Sequence, residues 1–570
     1  MMVFMTDRRV QTVHSRCGRI RMLLFCAALF FVLMAGRASA ESKRPYFISA
    51  DLSSTEDGIP TDAVSLFKKK DGYYIFFPAA WDCNNLIVRC RKKTDTLFIG
   101  GIAYHDGDRV SLPPGTSTVM SVDDHRWNVV NVLQSSVVPS IFLTTDDPDT
   151  KIFNSEFTDK TVKEPGVCKI VNADGTVEYD GELSYVRIRG NSTRNVSKKP
   201  LQIKLDKKRP LFGMSTNKTW ILLANYADKS LIRTTIAMDL ARYAGVYSFV
   251  PATQPVDLFV NHQYYGSFLL TEKCEIDNHR LDITDLEQMN DDLNPGEYPA
   301  FGPDKYSKGA KKGVQLEKIP KDITGGYLIL AAYWMYYEQD PSGFVTERGQ
   351  SFLIDSPKRA SEAQVDYIEA RFRQIEDALF TDGTDENGTP WTEWLDETTF
   401  VHRYLQAEVT GDNDGNNPYF YKDTDTIDPK IYCGPVWDQD NIWGVNKAHA
   451  DPDRFYIQNE QLSYAWFPAA MKLPDFAAKV RQTYREVYLP ALEILLGLRK
   501  DPSGVLRSLD EYAAEVAGTA ALDNVRWRIA SHRNQVFNMT GDTPEENIAF
   551  LRDYITRRMN FLNSEWLVEK

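Results

Sequence analysis

The chain has 570 residues with 43% hydrophobic content, which is enough for two or three globular domains with substantial cores. Its formal net charge of −13 argues against a nucleic-acid partner, because phosphate backbones are bound by basic surfaces. The composition therefore indicates a globular protein that binds no nucleic acid.

Residues 1–40 have the pattern of an export signal peptide. An arginine-rich segment precedes an apolar run at 22–35, and Ala38-Ser39-Ala40 supplies the small residues of a cleavage site. The run is short for a membrane span, although an uncleaved N-terminal anchor is the alternative. We expect a secreted, periplasmic or cell-surface protein with no transmembrane span after signal cleavage.

Residues 41–137 are predicted to form a β-sandwich domain of immunoglobulin-like type. Short strand-like runs alternate at regular spacing with turn residues such as Asp71-Gly72. The runs are 73–77, 86–90, 97–100, 118–122 and 127–133. Nothing in them indicates catalysis, so the domain is interpreted as a spacer or as a module for a glycan or protein ligand.

The cysteines do not indicate a dense disulfide framework or a metal site. After signal removal five remain, scattered along the chain: Cys83, Cys90, Cys168, Cys274 and Cys433. We therefore expect the fold to rest on its apolar cores even in an oxidising compartment.

A second domain of mixed strands and helices begins at residue 138. Two alternating strands at 185–189 and 201–205 flank a turn that starts at Gly190, and Lys204 lies on the returning strand. This is the layout of the phosphate-covering loop and its lysine in a kinase, although a surface hairpin with lysines has the same pattern.

The next segments predict a helix, a strand pair and a long insertion. Asp228 stands at an N-cap position before a helix that Gly245 would end. Glu272 follows a strand and is either the partner of Lys204 or one half of a surface ion pair. Residues 287–313 are polar and without periodicity, and they are predicted to be an inserted loop.

An acidic cluster follows the helical segment that begins near residue 392. Asp412, Asp414 and Asn417 precede an aromatic strand, and Asp438 and Asp440 follow the next strand. Oxygen ligands of this kind suit magnesium or manganese. In kinases, too, the catalytic base is followed along the chain by a metal-binding amide and then by a metal-binding carboxylate.

In these motifs the chain from about residue 139 to its C-terminus resembles the CotH kinase family, the spore-coat protein H-like secreted kinases. The residues that carry the resemblance are 189–193, 198–200 with Lys204, 211–214, 222–233, 256–261, 266 with 269–273, 325–328, the acidic cluster and 434–438. The resemblance implies an α+β fold, with an atypical protein-kinase-like two-lobed domain at 138–570. Its small lobe would span about 138–330 and its large helical lobe about 331–570.

The resemblance also implies an activity and a set of site residues. It implies a kinase that binds ATP with Mg²⁺ or Mn²⁺ and transfers the γ-phosphate to Ser or Thr of secreted or surface proteins. The implied site residues are Asp414 or Asp412 as base, Asn417 and Asp438 at the metal, Lys204 at the phosphates, and Arg189, Arg233 and Glu272 at the nucleotide. Asp440 is either a further carboxylate at the metal site that orients it or a surface carboxylate.

The choice between the two aspartates stays open at this point. Members of the family usually have one aspartate before the aromatic strand, whereas this chain has two. Asp412 lies five residues before Asn417, which is the spacing in a kinase catalytic loop. Asp414 fits the family's Thr-Gly-x-x-Asp motif. We favour Asp414, because a base must lie within hydrogen-bond reach of the hydroxyl proton. This position matters more than the number of residues between the base and Asn417.

Two other functions remain as alternatives. The chain could be a non-catalytic surface or assembly protein built on a kinase-like scaffold, with the sandwich as its adhesive element. The same fold could also transfer another group, such as AMP.

Overall fold

The structure is a computed structural model that describes residues 46–50, 59–122, 127–412, 414, 418–459, 466–527 and 541–568. The predicted signal peptide and Asn417 lie outside the described residues. The fold is a mixed α+β fold, as the sequence predicts.

The N-terminal part consists of two sheets that share one apolar core. Strands β1, β4 and β7 form a three-stranded sheet, and the others form a six-stranded sheet in the order β2-β3-β9-β8-β5-β6. The strands are β1 (Tyr46–Ser49), β2 (Phe67–Lys69), β3 (Gly72–Phe77), β4 (Leu86–Cys90), β5 (Leu97–Ile99), β6 (Ile102–Tyr104), β7 (Arg109–Val110), β8 (Ser117–Val122) and β9 (Trp127–Gln134). Each of the five predicted runs coincides with a strand, whereas the immunoglobulin-like type stays a prediction.

This core continues into the next part of the chain. Phe142, Phe259 and Tyr264 belong to the same cluster of buried residues as the two N-terminal sheets. The Phe76 ring stacks on Tyr264 with centroids 4.7 Å apart. The N-terminal sheets are therefore packed directly on the following domain.

A closed seven-stranded barrel follows. Its strands are β10 (Ser140–Thr145), β11 (Glu164–Val171), β12 (Val177–Ile188), β13 (Leu201–Arg209), β14 (Asn217–Leu223), β15 (Thr253–Val260) and β16 (Gln263–Glu272). Neighbours pair antiparallel except β10 and β15, whose parallel pairing closes the barrel. The interior is filled by apolar side chains that alternate along the strands, such as Leu201, Ile203 and Leu205 on β13.

The predicted helix after β14 is present but begins later than expected. Helix α1 spans Arg233–Ala244, and Gly245 ends it with a left-handed φ of 71°, as predicted. Asp228 lies before the helix, and its Oδ2 accepts a hydrogen bond of 2.9 Å from the Arg233 backbone N–H. The carboxylate thus satisfies a helix-terminal donor from a preceding loop.

A second seven-stranded sheet follows the barrel, in the order β17-β18-β20-β21-β19-β22-β23. Its strands are β17 (Ala300–Phe301), β18 (Lys311–Val314), β19 (Tyr327–Ala332), β20 (Gly343–Val345), β21 (Ser351–Ser356), β22 (Tyr419–Lys422) and β23 (Ile431–Cys433). The lobe boundary at about 330 stays a prediction; β19, which begins before it, belongs to this second sheet.

Helices pack around the second sheet and fill most of the C-terminal part. They are α2 (Leu286–Leu293), α3 (Trp334–Tyr337), α4 (Glu362–Leu379), α5 (Glu397–Thr410), α6 (Trp466–Met471), α7 (Pro474–Thr483), a π-helix (Tyr484–Tyr488), α8 (Leu489–Leu495), α9 (Leu509–Trp527) and α10 (Pro544–Trp566). The prediction of a loop at 287–313 is wrong, because α2, β17 and the start of β18 lie there. The N-cap side chain of Asp285 accepts from the Gln288 N–H and starts α2.

Within the described residues no helix has the length and apolar character to cross a membrane. The five cysteines of this part are unpaired and buried. This agrees with the expected absence of a dense disulfide framework.

Candidate active site

A cavity of about 380 Å³ lies between the end of the barrel and the second sheet. The barrel side contributes the loop after β12 and the residues after β14, and the other side contributes β19, β21 and the acidic residues after α5 and β23. Its volume is in the range of small-molecule sites.

Asp414 faces this cavity, and Asp412 lies behind it. Helix α5 ends at Gly411, whose left-handed φ of 59° turns the chain toward the cavity. Asp412 is fully buried, and its Oδ1 accepts the Asp414 backbone N–H at 2.9 Å. The Asp414 carboxylate lines the cavity and accepts a 2.8 Å hydrogen bond from the Asn441 side chain.

The contacts of Asp412 indicate a structural role. Its Oδ2 accepts the Gln439 amide at 2.7 Å, and the Arg403 guanidinium lies 3.7 Å away. Burial raises the pKa of Asp412 to about 7, whereas the Arg403 charge lowers it. Asp412 therefore holds the loop that presents Asp414.

Asp438 and Asp440 line the same cavity from the segment after β23. Asp438 has a left-handed backbone with φ 59°, an uncommon conformation for a residue other than glycine. Its side chain is exposed to the cavity. Desolvation by the surrounding protein raises its pKa to about 6; Asp414 raises it further and Arg189 lowers it. Burial also raises the pKa of Asp440, with Asp438 and Asp414 adding to the shift. The three carboxylates thus crowd negative charge into one region.

Arg189 brings a cation to these carboxylates. It follows β12, lines the cavity, and its guanidinium lies 5.4 Å from the centre of the Trp437 ring. Burial lowers the pKa of Arg189, while Asp438 counteracts this most strongly among its neighbours. Arg189 therefore lines the same cavity as the three carboxylates.

The loop after Arg189 is held in one shape. Gly190 has φ 91°, and a Cβ at this position would lie 2.2 Å from the Thr193 hydroxyl oxygen. Lys199 is buried, and its ammonium donates to the backbone carbonyls of Arg194 and Val196 at 2.7 and 3.0 Å. The lysine thus ties the loop to the barrel.

Three residues expected at the nucleotide are not among those that line the cavity. Lys204 alternates with the interior residues of β13, so its side chain lies on the outer face of the barrel wall. Arg233 is buried against Asp228, with a 2.6 Å ion pair.

Glu272 has a structural environment that neither sequence interpretation foresaw. Its carboxylate is buried and accepts the backbone N–H groups of Ser215 and Ala252 at 2.7 and 2.8 Å. On β14, Trp220 pairs with Glu272, whereas its neighbour Thr219 pairs with Lys204. Adjacent strand residues face opposite sides, so Glu272 is not the partner of Lys204.

Sequence reasoning missed several residues of the cavity. The additional polar ones include Lys160, Tyr336, Asp340, Asp355, Arg403 and Asn441. Asn441 could have been found, because it directly follows the predicted Asp440. Lys160 and Tyr336 had no signal, because they come from segments far from the motifs. Burial raises the pKa of Tyr336, and the charges of Asp414 and Asp438 raise it further, which places this ring beside the acidic residues.

The donor set fits a magnesium-type ion shared with phosphate. Within the described ranges, no group of three His, Cys, Asp or Glu side chains converges closely enough to hold an ion alone. Mg²⁺ is commonly held by one or two carboxylates together with phosphate oxygens and water. Asp438 and Asp440 supply such carboxylates; Asn417 lies outside the described residues.

The chain matches a known family of proteins. A family model described as CotH kinase protein matches residues 186–562, which is more than half of the chain. No curated protein matches the chain. The match runs from within β12 to within α10, and it leaves the N-terminal sheets and Lys160 outside.

Proposed function

Since the chain belongs to the CotH kinase protein family, we propose that it is an exported protein Ser/Thr kinase that uses ATP and a divalent metal. Its acceptors would be secreted or surface proteins. Export is proposed from the pattern of residues 1–40.

The observation that supports this proposal most strongly is that Asp414, Asp438 and Arg189 line one cavity. A kinase needs a base for the acceptor, carboxylates for metal and a cation for phosphate, and little other chemistry. These three kinds of group lie here around a space of small-molecule size.

Asp414 is assigned as the base, because it faces the cavity whereas Asp412 is fully buried. Its carboxylate would accept the proton of a Ser or Thr hydroxyl as that oxygen bonds to the γ-phosphorus. The bond from this phosphorus to the bridging oxygen of ADP breaks in the same transfer, and ADP leaves. The Asn441 amide fixes the orientation of the base.

Arg189 would hold phosphate oxygens, because it lies at the wall of the cavity that Asp438 also lines. Asp438 and Asp440 would bind the metal, which neutralises charge on the transferred group. The loop from Gly190 would cover the phosphates and exclude water.

The direct test is label transfer from the γ-phosphate of ATP by purified residues 41–570 with Mg²⁺ or Mn²⁺. We expect transfer that falls by at least about 100-fold in Asp438→Asn and in Asp414→Asn, because each loses a charge needed in the transition state. In Asp412→Asn we expect a smaller loss, since this residue acts through the loop.

An exposed carboxylate provides the control. Asp71 lies in a turn of the N-terminal sheets, and Asp71→Asn should leave phosphate transfer unchanged. If the wild-type protein neither binds nor consumes ATP, the kinase proposal is wrong and the non-catalytic scaffold takes its place.

A further inference from the structure

Three consecutive large apolar side chains are exposed at the edge of the cavity. They are Tyr333, Trp334 and Met335, with exposed fractions of 36%, 53% and 43%, and we call them the apolar patch. Among the described residues no other large apolar side chains with this exposure are consecutive in the sequence. Single exposed apolar residues are ordinary, whereas a contiguous group indicates a contact surface.

The apolar patch begins at the wall of the cavity. Tyr333 and Tyr336, which stand on either side of Trp334 and Met335 in the sequence, both line the cavity together with Asp414. The centres of the Tyr333 and Tyr336 rings are 6.4 Å apart. Trp334 and Met335 are not among the lining residues, so they extend the surface outward from the cavity wall.

The segment that carries the apolar patch is anchored at both ends. Strand β19 ends at Ala332, directly before the patch, and the Ala332 carbonyl accepts a 2.6 Å hydrogen bond from the Ser351 hydroxyl of β21. At the end of α3, Tyr337 is buried in one cluster with Ala332 and Leu353, and the Lys312 ammonium lies 4.6 Å from the centre of its ring. A surface held in this way loses little conformational entropy when a ligand binds.

The proposed reaction brings an acceptor to this wall. A Ser or Thr hydroxyl must come within hydrogen-bond reach of Asp414, which lines the cavity with Tyr333 and Tyr336. The neighbours of that Ser or Thr, each about 3.3 Å further along an extended segment, then extend beyond the cavity. The nucleotide lies within the cavity in this reaction, whereas Trp334 and Met335 lie outside it. The apolar patch is therefore placed for the acceptor and not for the nucleotide.

The size of the apolar patch fits a short segment better than a second copy of the chain. A stable interface between two proteins typically involves about 20–30 residues on each side. The patch has three exposed side chains, one of which is a tryptophan, the residue type that is enriched where single contacts dominate binding. Such a surface suits one apolar side chain.

We propose that the apolar patch binds an apolar side chain of the protein acceptor, within a few residues of the Ser or Thr that is phosphorylated. This inference rests on the proposed function and adds a substrate class, which is acceptors with a large apolar residue close to the phosphorylated position.

Peptide binding tests the proposal without requiring catalysis. Fluorescence anisotropy on residues 41–570 would compare two labelled peptides of equal length and charge, each with one central Ser. In one peptide Leu and Phe flank the Ser on both sides, and in the other Asn and Gln take their places. We expect the apolar peptide to bind at least about tenfold more tightly. The difference should persist as salt is raised, because salt screens charges and not apolar contacts.

Substitutions identify the contact residues. Trp334→Ala/Met335→Ala should abolish the preference for the apolar peptide, and Trp334→Ala alone should weaken it. The matched control is Trp127→Ala, which removes the same type of side chain, 42% exposed, from β9 of the N-terminal sheets and should leave the preference unchanged. Circular dichroism checks that each variant is folded, and Trp334→Gln serves if the double variant is not.

Three results would overturn the inference. The first is equal binding of both peptides, or no binding of either. The second is loss of ATP binding in the double variant with the peptide preference unchanged, since the patch would then serve the nucleotide. The third is a wild-type dimer, measured by sedimentation velocity, that becomes a monomer in the double variant while the peptide preference is unchanged.

The same measurements separate this inference from the kinase proposal. If the peptides bind as expected but the wild-type protein transfers no phosphate, the acceptor surface stands and the kinase proposal fails. If the wild-type protein transfers phosphate but binds both peptides equally, the kinase proposal stands and the inference about the apolar patch fails.

Discussion

At the scale of single residues, side-chain direction decides which charges reach the cavity. Arg189 and Lys204 both come from the hairpin that the sequence assigned to phosphate binding. Arg189 follows the end of β12 and lines the cavity, whereas Lys204 projects from the middle of β13 to the outer face of the barrel. A sequence pattern locates the strands, but the face that a residue presents depends on which side of the sheet is packed.

The two cations should therefore differ in activity. We expect Arg189→Ala to lower kcat/KM for ATP by about 100-fold or more, because it removes a positive charge from the cavity that Asp438 also lines. Lys204→Ala should change it by no more than about threefold. Steady-state kinetics with labelled ATP measures both, and melting temperatures confirm folding. Equal losses in the two variants would assign Lys204 to the phosphates after all.

At the scale of elements, a buried ion pair fastens the barrel to helix α9. Lys198 is fully buried and lies 2.7 Å from Asp523, which also accepts the Ser267 backbone N–H at 2.9 Å. Burial lowers the pKa of Lys198, and Asp523 opposes this shift. Lys198 belongs to a motif of the family resemblance, and its contacts are structural.

Loss of this lysine should destabilise the protein strongly. Lys198→Met leaves Asp523 buried without its cation, which typically costs about 3–5 kcal/mol. Lys198→Met/Asp523→Asn should recover more than half of this loss, because no unpaired charge remains. Urea unfolding measures the free energies. Lys208→Met, in the half-exposed pair with Asp277, is the control and should cost about 1 kcal/mol or less. If Lys198→Met alone lowers the free energy of unfolding as little as this control, the structural role of Lys198 is contradicted.

Elements with strong local signals were predictable, and those that depend on distant partners were not. The run at 86–90 coincides with β4, and Gly245 ends α1 as expected. The start of α1 was missed because Asp228 caps it from a loop five residues earlier. The insertion at 287–313 lacks a long apolar pattern, yet its short α2 is capped by Asp285. Polar composition concealed elements that packing against the second sheet stabilises.

At the scale of the whole molecule, the N-terminal sheets are an integral part of the fold. Their core includes Phe142, Phe259 and Tyr264 of the barrel and Leu522 of α9. Asp62 forms a 2.8 Å ion pair with Lys169, and the Gln263 amide donates to the Leu66 carbonyl. The sequence predicted the strands of both parts, but closure of the barrel by β10 and β15 joins segments more than a hundred residues apart, which no local pattern reveals.

Removal of the N-terminal sheets should therefore lower the stability of the remaining chain. We expect residues 138–570 alone to melt at a clearly lower temperature than 41–570 and to bind a hydrophobic dye, because a buried apolar surface becomes exposed. Differential scanning calorimetry and dye fluorescence measure this. Unchanged melting would show that the sheets are a separable module, as the spacer interpretation assumed.

The burial of the thiols makes the protein suitable for site-specific labelling. Burial raises the pKa of Cys83 to about 12 and also raises that of Cys168, Cys274 and Cys433, so little thiolate forms at neutral pH. A cysteine introduced at an exposed site on the barrel, and another on the second sheet, would react with a maleimide dye far faster than the native ones. Such a pair of probes on residues 41–570, whose five cysteines are all buried, would report the width of the cavity mouth in solution, with and without nucleotide.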